Sequence, residues 1–399
     1  MAPSHCLHFT RKKMLPRLAH ISLLLLAALL LPSSLYGETL ATVRLDVPDK
    51  FRKGVFSHER AIKALPGLKV SVYAAGVPGA RFMAIRDDGV IFLSSPSEGN
   101  VLALPDRDGD GVADEVVVFA RNLKRPHGLA FRDGTLVVAE TGSIIALEET
   151  KGNLKADVKR ILSQDVPAGG GHWTRTVVVG PDGALYLSAG SSCNACLEAD
   201  RRRAAVLRFT DSKAEIFATG LRNSVGIEFH PETGELWGVD NGRDSLGDDV
   251  PPEELNLIKE GGDYGWPFCY GERVPDPELG SPERCRDTVP PVARMQAHSA
   301  PLGIAFGHGL DFPKGLSEAL FIAFHGSWDR EIPTGYKLVA IPFRNGRPSG
   351  PPFDIVTGWL VRGEAWGRPV DAVVGKDGAL YLSDDRAGAV YRITYSGKP

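Results

Sequence analysis

TVVVGPDGALYLSAG, residues 176–190, runs from a β-branched segment through Pro-Asp-Gly into a second alternating segment that ends in small residues. Asp-Gly between two β-prone runs is the strongest short hairpin signal, because it supplies the positive φ angles of a tight turn. The phrase reads as two antiparallel strands. It returns nearly unchanged in AVVGKDGALYLSDD (372–385). Looser copies stand at MAIRDDGVIFLSS (83–95), GLAFRDGTLVVAET (128–141), GIEFHPETGELWGVDN (226–241) and GIAFGHGLDFPKGLSEALFIAFHGSW (303–328). After four of the six copies a further strand can be read, in GNVLALP (99–105), AAVLRF (204–209), YKLVAIPF (336–343) and GAVYRITY (388–395).

A small antiparallel sheet cannot bury both faces alone, whereas a radial ring of such sheets does so and leaves only short edges. The expectation is an all-β, six-bladed propeller of four-stranded antiparallel blades. It forms a single domain over 38–399, with a long loop insertion, rich in Pro and Gly, at about 242–302.

Charge excludes one class of partner. Lys and Arg number 46 against 49 Asp and Glu, and beyond the N-terminal segment the one basic stripe is the short run Arg201-Arg202-Arg203, so a nucleic acid has little electrostatic footing. No Gly-x-Gly-x-x-Gly opens a helix, and neither a Gly-Lys-Ser loop nor a Gly-x-Ser-x-Gly elbow is present, which removes the usual nicotinamide, ATP and serine-hydrolase scaffolds.

Arg11, Lys12, Lys13 and Arg17 precede an apolar run from Ile21 to Leu31 and then Ser33, Ser34 and Gly37, the layout of a secretory signal over 1–37. The run is about half the length of a membrane helix, so the mature protein is expected in the periplasm or outside the cell with no stable membrane insertion. Cys6 would leave with the signal. Cys193, Cys196, Cys269 and Cys285 remain in an oxidising compartment, with the local pairs Cys193–Cys196 and Cys269–Cys285 preferred among three possible pairings. A four-cysteine zinc site is the rival, disfavoured by the wide second spacing. Leu197 rather than histidine follows Cys196, so covalent haem is not indicated.

In a propeller, loops between strands and between blades converge around the axis, and their polar residues become site candidates. His172 follows three glycines just before the opening phrase. Arg222 and Asn223 precede the fourth copy, Asp240 to Asp244 follow it, and Arg368 precedes the sixth. Arginines beside an acidic turn suit an anionic ligand and a cation held together. In DRDGDGVADE, Asp106, Asp108, Asp110 and Asp114 occupy positions 1, 3, 5 and 9 of a calcium loop, but position 12 is Val117. A second calcium and a solvated acidic hairpin both remain open there. His298 and His325 can line the site or pack, and His127 reads as the weaker site candidate.

HWTRTVVVGPDGALYLSAGSSCN, GLRNSVGIEFHPETGELWGVDNGRD, LIKEGGDYGWPFCYG, HSAPLGIAF, HGSWDR and WGRPVDAVVGKDGALYLSDD together resemble the soluble quinoprotein sugar dehydrogenases that use pyrroloquinoline quinone (PQQ), most closely the sorbosone dehydrogenase branch. The likeness runs from about residue 70 to 395. It implies a six-bladed propeller that oxidises an aldose or a sorbosone-like sugar by hydride transfer to PQQ and passes electrons to a periplasmic acceptor. His172 falls on the family's general base, nine residues before the Pro-Asp-Gly turn. Arg222, Asn223 and Arg368 fall on cofactor contacts, and Gly242, Arg243 and Glu254 on the calcium site beside the quinone. Two departures stand out: the family's Arg-x-Arg reads Arg368-Pro369-Val370, and its quinone-contacting lysine has no counterpart, with Arg330 the expected substitute. An imidazole pKa near 6.5 suits the base role at neutral pH. A calcium-dependent, lactonase-like propeller hydrolase and a non-catalytic propeller that binds a glycan or a protein are the competing readings.

Overall fold

Each copy of the repeated phrase folds into the first two strands of one blade. The structure, a computed structural model, describes residues 39–397, so the expected signal segment and Cys6 lie outside the described residues. In the opening phrase, Arg175–Val179 pairs with Leu185–Ala189 around Gly183 at φ +77°. Asp182 Oδ1 accepts from the Ala184 amide at 3.1 Å, and the Tyr186 hydroxyl donates to Asp182 Oδ2 at 3.1 Å. The sixth copy makes the same contact, with Tyr381 donating to Asp377 Oδ2 at 3.0 Å. Identical local sequence, DGALYLS, has found the same local solution twice.

Six such sheets follow one another, and the strands Met83–Ile85, Leu129–Arg132, Arg175–Val179, Ser224–Phe229, Pro301–Phe306 and Pro369–Val374 line an axial cavity of about 330 Å³. Phe82, Val225, Leu302 and Val370 form a buried apolar cluster from four of these blades. Elsewhere the core lies between blades: Phe92 and Val101 of the first pack against Leu136 and Ile145 of the second. Each such burial is worth about 1.5–3 kcal/mol.

The ring closes through a strand that the repeat does not contain. Leu68–Ala75 pairs with Ala389–Tyr395, from Leu68↔Tyr395 to Ala75↔Ala389, and supplies the fourth strand of the last blade. Ala61–Ala64 and Ala41–Arg44 extend the fifth blade to six strands.

The segment 242–302 is more than loop. Glu253–Ile258 and Ala293–Met295 are the third and fourth strands of the fourth blade, and the insertion lies between them, crosslinked by Cys269–Cys285. Every residue of Glu253–Ile258 is buried, so the strand lacks the polar alternation that marks a half-exposed one. The other bridge is Cys193–Cys196. Among the described residues no helix is long and apolar enough to cross a membrane.

Antiparallel alternation sorts the connections by end. The Asp-Gly turns lie at one end, and the loops before the first strand and between the second and third lie at the other. His172, Arg222, Asn223, Gly242 and Arg368 all belong to that second end. The Asp106–Asp114 loop joins Asn100–Leu104 to Val117–Ala120, third strand to fourth, and falls at the end of the turns.

Candidate functional site

Gly190, directly after the strand Leu185–Ala189, makes the site possible. A Cβ there would sit 2.6 Å from both Asn223 Oδ1 and His172 Cβ, so only glycine lets the two approach. His172 Nδ1 lies 2.8 Å from Ser191 Oγ and 3.1 Å from the Ser191 carbonyl. The Ser191 hydroxyl itself donates to the Cys193 carbonyl at 2.6 Å, which leaves Oγ only lone pairs to offer. Nδ1 must therefore carry the hydrogen, and Nε2 keeps a free lone pair. The ring borders a polar cavity of about 190 Å³ shared with Arg222, Asn223, Gly242, Glu253 and Trp328. Burial, then the charges of Arg222, Arg203 and Arg175, push the imidazole down to about 3, well below the ordinary value from which the sequence reading started.

Arg222 is buried and nearly saturated. Its Nε donates to the Asn194 carbonyl at 2.9 Å, Nη1 to the Asn241 carbonyl at 3.2 Å, and Nη2 to Asn194 Oδ1 at 2.8 Å and Asp244 Oδ2 at 3.0 Å. One N–H remains, so Arg222 brings positive charge rather than an open fork. Arg368 does not border this cavity; it donates from Nε to the His325 carbonyl at 3.2 Å and from Nη2 to the Gly326 carbonyl at 3.0 Å. Next to it, His325 and Arg81 both bond Asp385, at 3.0 Å and 2.8 Å. Against the opposing effect of burial, those two partners hold the Asp385 carboxyl below the usual range. Arg330, the expected lysine substitute, is not brought to the cavity: its guanidinium is held by the Asp248 carbonyl and by Asp249 at 3.1 Å. His127 is packing, buried against Phe82 with ring centroids 4.3 Å apart. His298 borders the cavity and donates from Nε2 to the Gly247 carbonyl at 2.9 Å.

Gly242, Arg243 and Glu254 do converge. With Asp240 they border a second, small cavity of about 20 Å³. Burial and the neighbouring Asp240 push the Glu254 carboxyl up to about 8, and burial lifts Asp240 to about 6. A set of carboxylate and backbone oxygens around so small a buried space fits calcium. The Arg243 guanidinium bonds Asp276, which borders the same cavity, at 2.7 Å and Glu278 at 3.0 Å; a cation cannot ligate another, so only its backbone carbonyl is left for such an ion. At the opposite end, Asp106, Asp108 and Asp110 bring carboxylate oxygens within 4.8 Å of one another. Asp114 stands outside that group and bonds Arg107 at 2.9 Å through the amide.

Four contributors were not singled out from sequence. Asn194 and Ser191 belong to the loop read only for its cysteines; Glu253 adjoins the chosen Glu254; and Arg81 precedes the first copy much as Arg222 precedes the fourth. Arg81 was findable from that register. Its Nε is buried without a hydrogen-bond partner among the described residues. Arg81 and Arg368 both stand beside His325 and Asp385, and Arg222 borders the cavity of His172; guanidinium groups suit a ligand rich in carboxylates.

A polar cavity at the loop end of a six-bladed propeller, bordered by Arg222 and by a half-buried neutral histidine, defines a class of small-molecule site. The chain belongs to the TrAA12-like family, which matches residues 62–396. The pyrroloquinoline quinone-dependent pyranose dehydrogenase of Coprinopsis cinerea is 24% identical over 405 residues, covering 84% of this chain and 54% of that one, so the chain spans about half of that relative. The pyrroloquinoline quinone-dependent sugar dehydrogenase of Hypocrea jecorina is 27% identical over 336 residues, 70% of each chain. A calcium structure of the Trichoderma reesei AA12 enzyme has a TM-score of 0.73 at 24% identity, covering 84% of this chain and 97% of that one, a likeness of fold.

Proposed function

We propose that this protein is a PQQ-dependent dehydrogenase that oxidises an aldose or a related sugar such as sorbosone. The observation that carries the reading is the state of His172: Nδ1–H is tied to Ser191, Nε2 is free, and the ring is neutral beside Arg222 and Asn223. Nε2 accepts the proton of a sugar hydroxyl as the adjacent C–H bond breaks. Arg222, Arg368 and Arg81 supply positive charge for the cofactor's carboxylates, and Asn223 a polar edge beside the base. Glu254 with the Gly242 and Arg243 carbonyls would hold calcium. When bound, PQQ supplies the acceptor for the hydride and calcium the Lewis acid that polarises it. The Asp106, Asp108 and Asp110 cluster is a candidate for a second, structural calcium.

Export belongs to the same reading, because two disulfides suit an oxidising compartment. N-terminal sequencing of protein secreted by a Gram-negative host should give a start shortly after Gly37. The direct test of function is reconstitution: purified apoprotein with PQQ and calcium should reduce an artificial acceptor with aldoses or sorbosone. Lactone hydrolysis with calcium alone and no PQQ-dependent turnover would replace the dehydrogenase with the hydrolase.

A further inference from the structure

The loop between the second and third strands of the third blade touches both functional side chains at once. Its disulfide, Cys193–Cys196, has a sequence separation of 3 and encloses Asn194 and Ala195. So short a ring restrains the unfolded chain less than a long one does, so its use lies more in local geometry. The exposed Leu197, at 68%, shows that apolar burial does not anchor this part of the loop.

Asn194 makes five hydrogen bonds to residues outside the loop. Its carbonyl accepts from Arg222 Nε at 2.9 Å and from Trp266 Nε1 at 3.3 Å. Its Oδ1 accepts from Arg222 Nη2 and from the Asp244 amide, both at 2.8 Å, and its Nδ2 donates to the Asp244 carbonyl at 3.2 Å. Three residues earlier, Ser191 holds His172 Nδ1, and the Cys193 carbonyl takes the Ser191 hydroxyl hydrogen. The Ser191 amide in turn donates to the Arg222 carbonyl at 2.7 Å.

We propose that Asn194, held in place by the Cys193–Cys196 bridge, is a positioning residue for Arg222, and that Ser191 in the same loop sets the tautomer of His172. One crosslinked turn thereby aligns the proton acceptor with the cofactor-side cation. The inference rests on the roles given above to His172 and Arg222.

The test uses full-length mature protein and two readouts besides turnover: PQQ titration of the apoprotein by tryptophan fluorescence quenching, and ring ¹⁵N chemical shifts of His172. Asn194→Ala keeps the disulfide and should weaken PQQ binding about ten- to hundredfold, the worth of hydrogen bonds to a charged group, with the His172 shifts unchanged. Cys193→Ala with Cys196→Ala should give a similar loss. Adding Asn194→Ala to it should cost little more, because both act through one contact. Ser191→Ala removes the shorter of the two Nδ1 acceptors and keeps the Ser191 carbonyl at 3.1 Å, so it should leave PQQ affinity within about twofold and move the His172 shifts part of the way from a single Nδ1–H tautomer, a change that Ser191→Thr reverses. Should Asn194→Ala fold poorly, Asn194→Gln, which displaces the amide by one methylene, carries the same expectation. Wild-type PQQ affinity in the Asn194 variants beside a weakened Arg222→Ala overturns the proposal alone. Wild-type affinity in Arg222→Ala as well overturns the cofactor site and the proposal with it.

Discussion

Glu253 and Glu254 are neighbours in one strand and serve different cavities. Glu253 borders the cavity of His172, where Oε2 accepts from the Gly242 amide at 2.8 Å and Oε1 from the Ala300 amide at 3.0 Å. Glu254 borders the small cavity of Arg243 and Asp240, where Oε1 accepts from the Gly271 amide at 2.7 Å. Successive side chains of a strand point to opposite faces, so one backbone step sends one carboxyl to each cavity.

His172→Asn should lower kcat by about 10²- to 10⁴-fold, as removal of a positioned base does, while PQQ titration stays near wild type. Because burial and the surrounding arginines hold the imidazole down to about 3, the acid limb due to His172 should lie near pH 3. The rate should then be insensitive to this group between pH 5 and 8. A limb near pH 6.5 that vanishes in His172→Asn would contradict the environment described for the ring.

Arg222→Ala and Arg368→Ala should both weaken PQQ binding, with activity partly recovered at high PQQ. They should differ in stability. Arg222 is 4% exposed and its loss strips Asp244 and Asn194 of their partner, at a cost of about 3 kcal/mol. Arg368 bonds only carbonyls through its side chain and should cost less. Thermal unfolding of the two apoproteins checks the difference.

Calcium should matter more as pH rises. Burial pushes Glu253 and Glu254 up to about 8, whereas unfolded glutamates ionise near 4.3. Between those values the folded chain holds more protons than the unfolded one, so the stability from these groups is full at low pH and is lost as pH rises through 8. The apoprotein Tm should fall between pH 6.5 and 8.5, above the range in which the buried histidines act. Calcium should recover part of the loss, and Glu254→Gln should abolish the recovery. Equal calcium effects in wild type and Glu254→Gln would move the ion elsewhere.

Deleting residues through Ala75 should prevent a stable monomer. The deletion removes Leu68–Ala75 and leaves Ala389–Tyr395 as an open edge of the last blade, a template for pairing with another chain. Light scattering of the truncated protein should show association. A soluble, monomeric truncation would mean that the ring does not depend on this closure.

The repeated phrase was legible because its information is local. Asp182-Gly183 and Asp377-Gly378 carry their own turn chemistry, and the alternating residues beside them show a period of two over a few positions. The site was legible in part for another reason: His172, Arg222, Asn223 and Gly242 all stand at the ends of repeated strands, and a propeller gathers such ends. Arg330 does not border the cavity of His172, because Asp248 and Asp249 hold its guanidinium, a competition between loops that no local pattern shows.

By itself, the sequence determined the number of blades, the end at which the polar loops gather and the residue types available there, since each follows from contacts within one repeated phrase. Only the tertiary structure decided that Leu68–Ala75 closes the ring, that Glu253 rather than Glu254 faces His172, and that Asn194 clamps Arg222. Those depend on side chains 28 to more than 300 positions apart that meet only once the blades have packed. At such separations, burial and the need to satisfy every buried polar group choose among partners that the local pattern leaves equivalent.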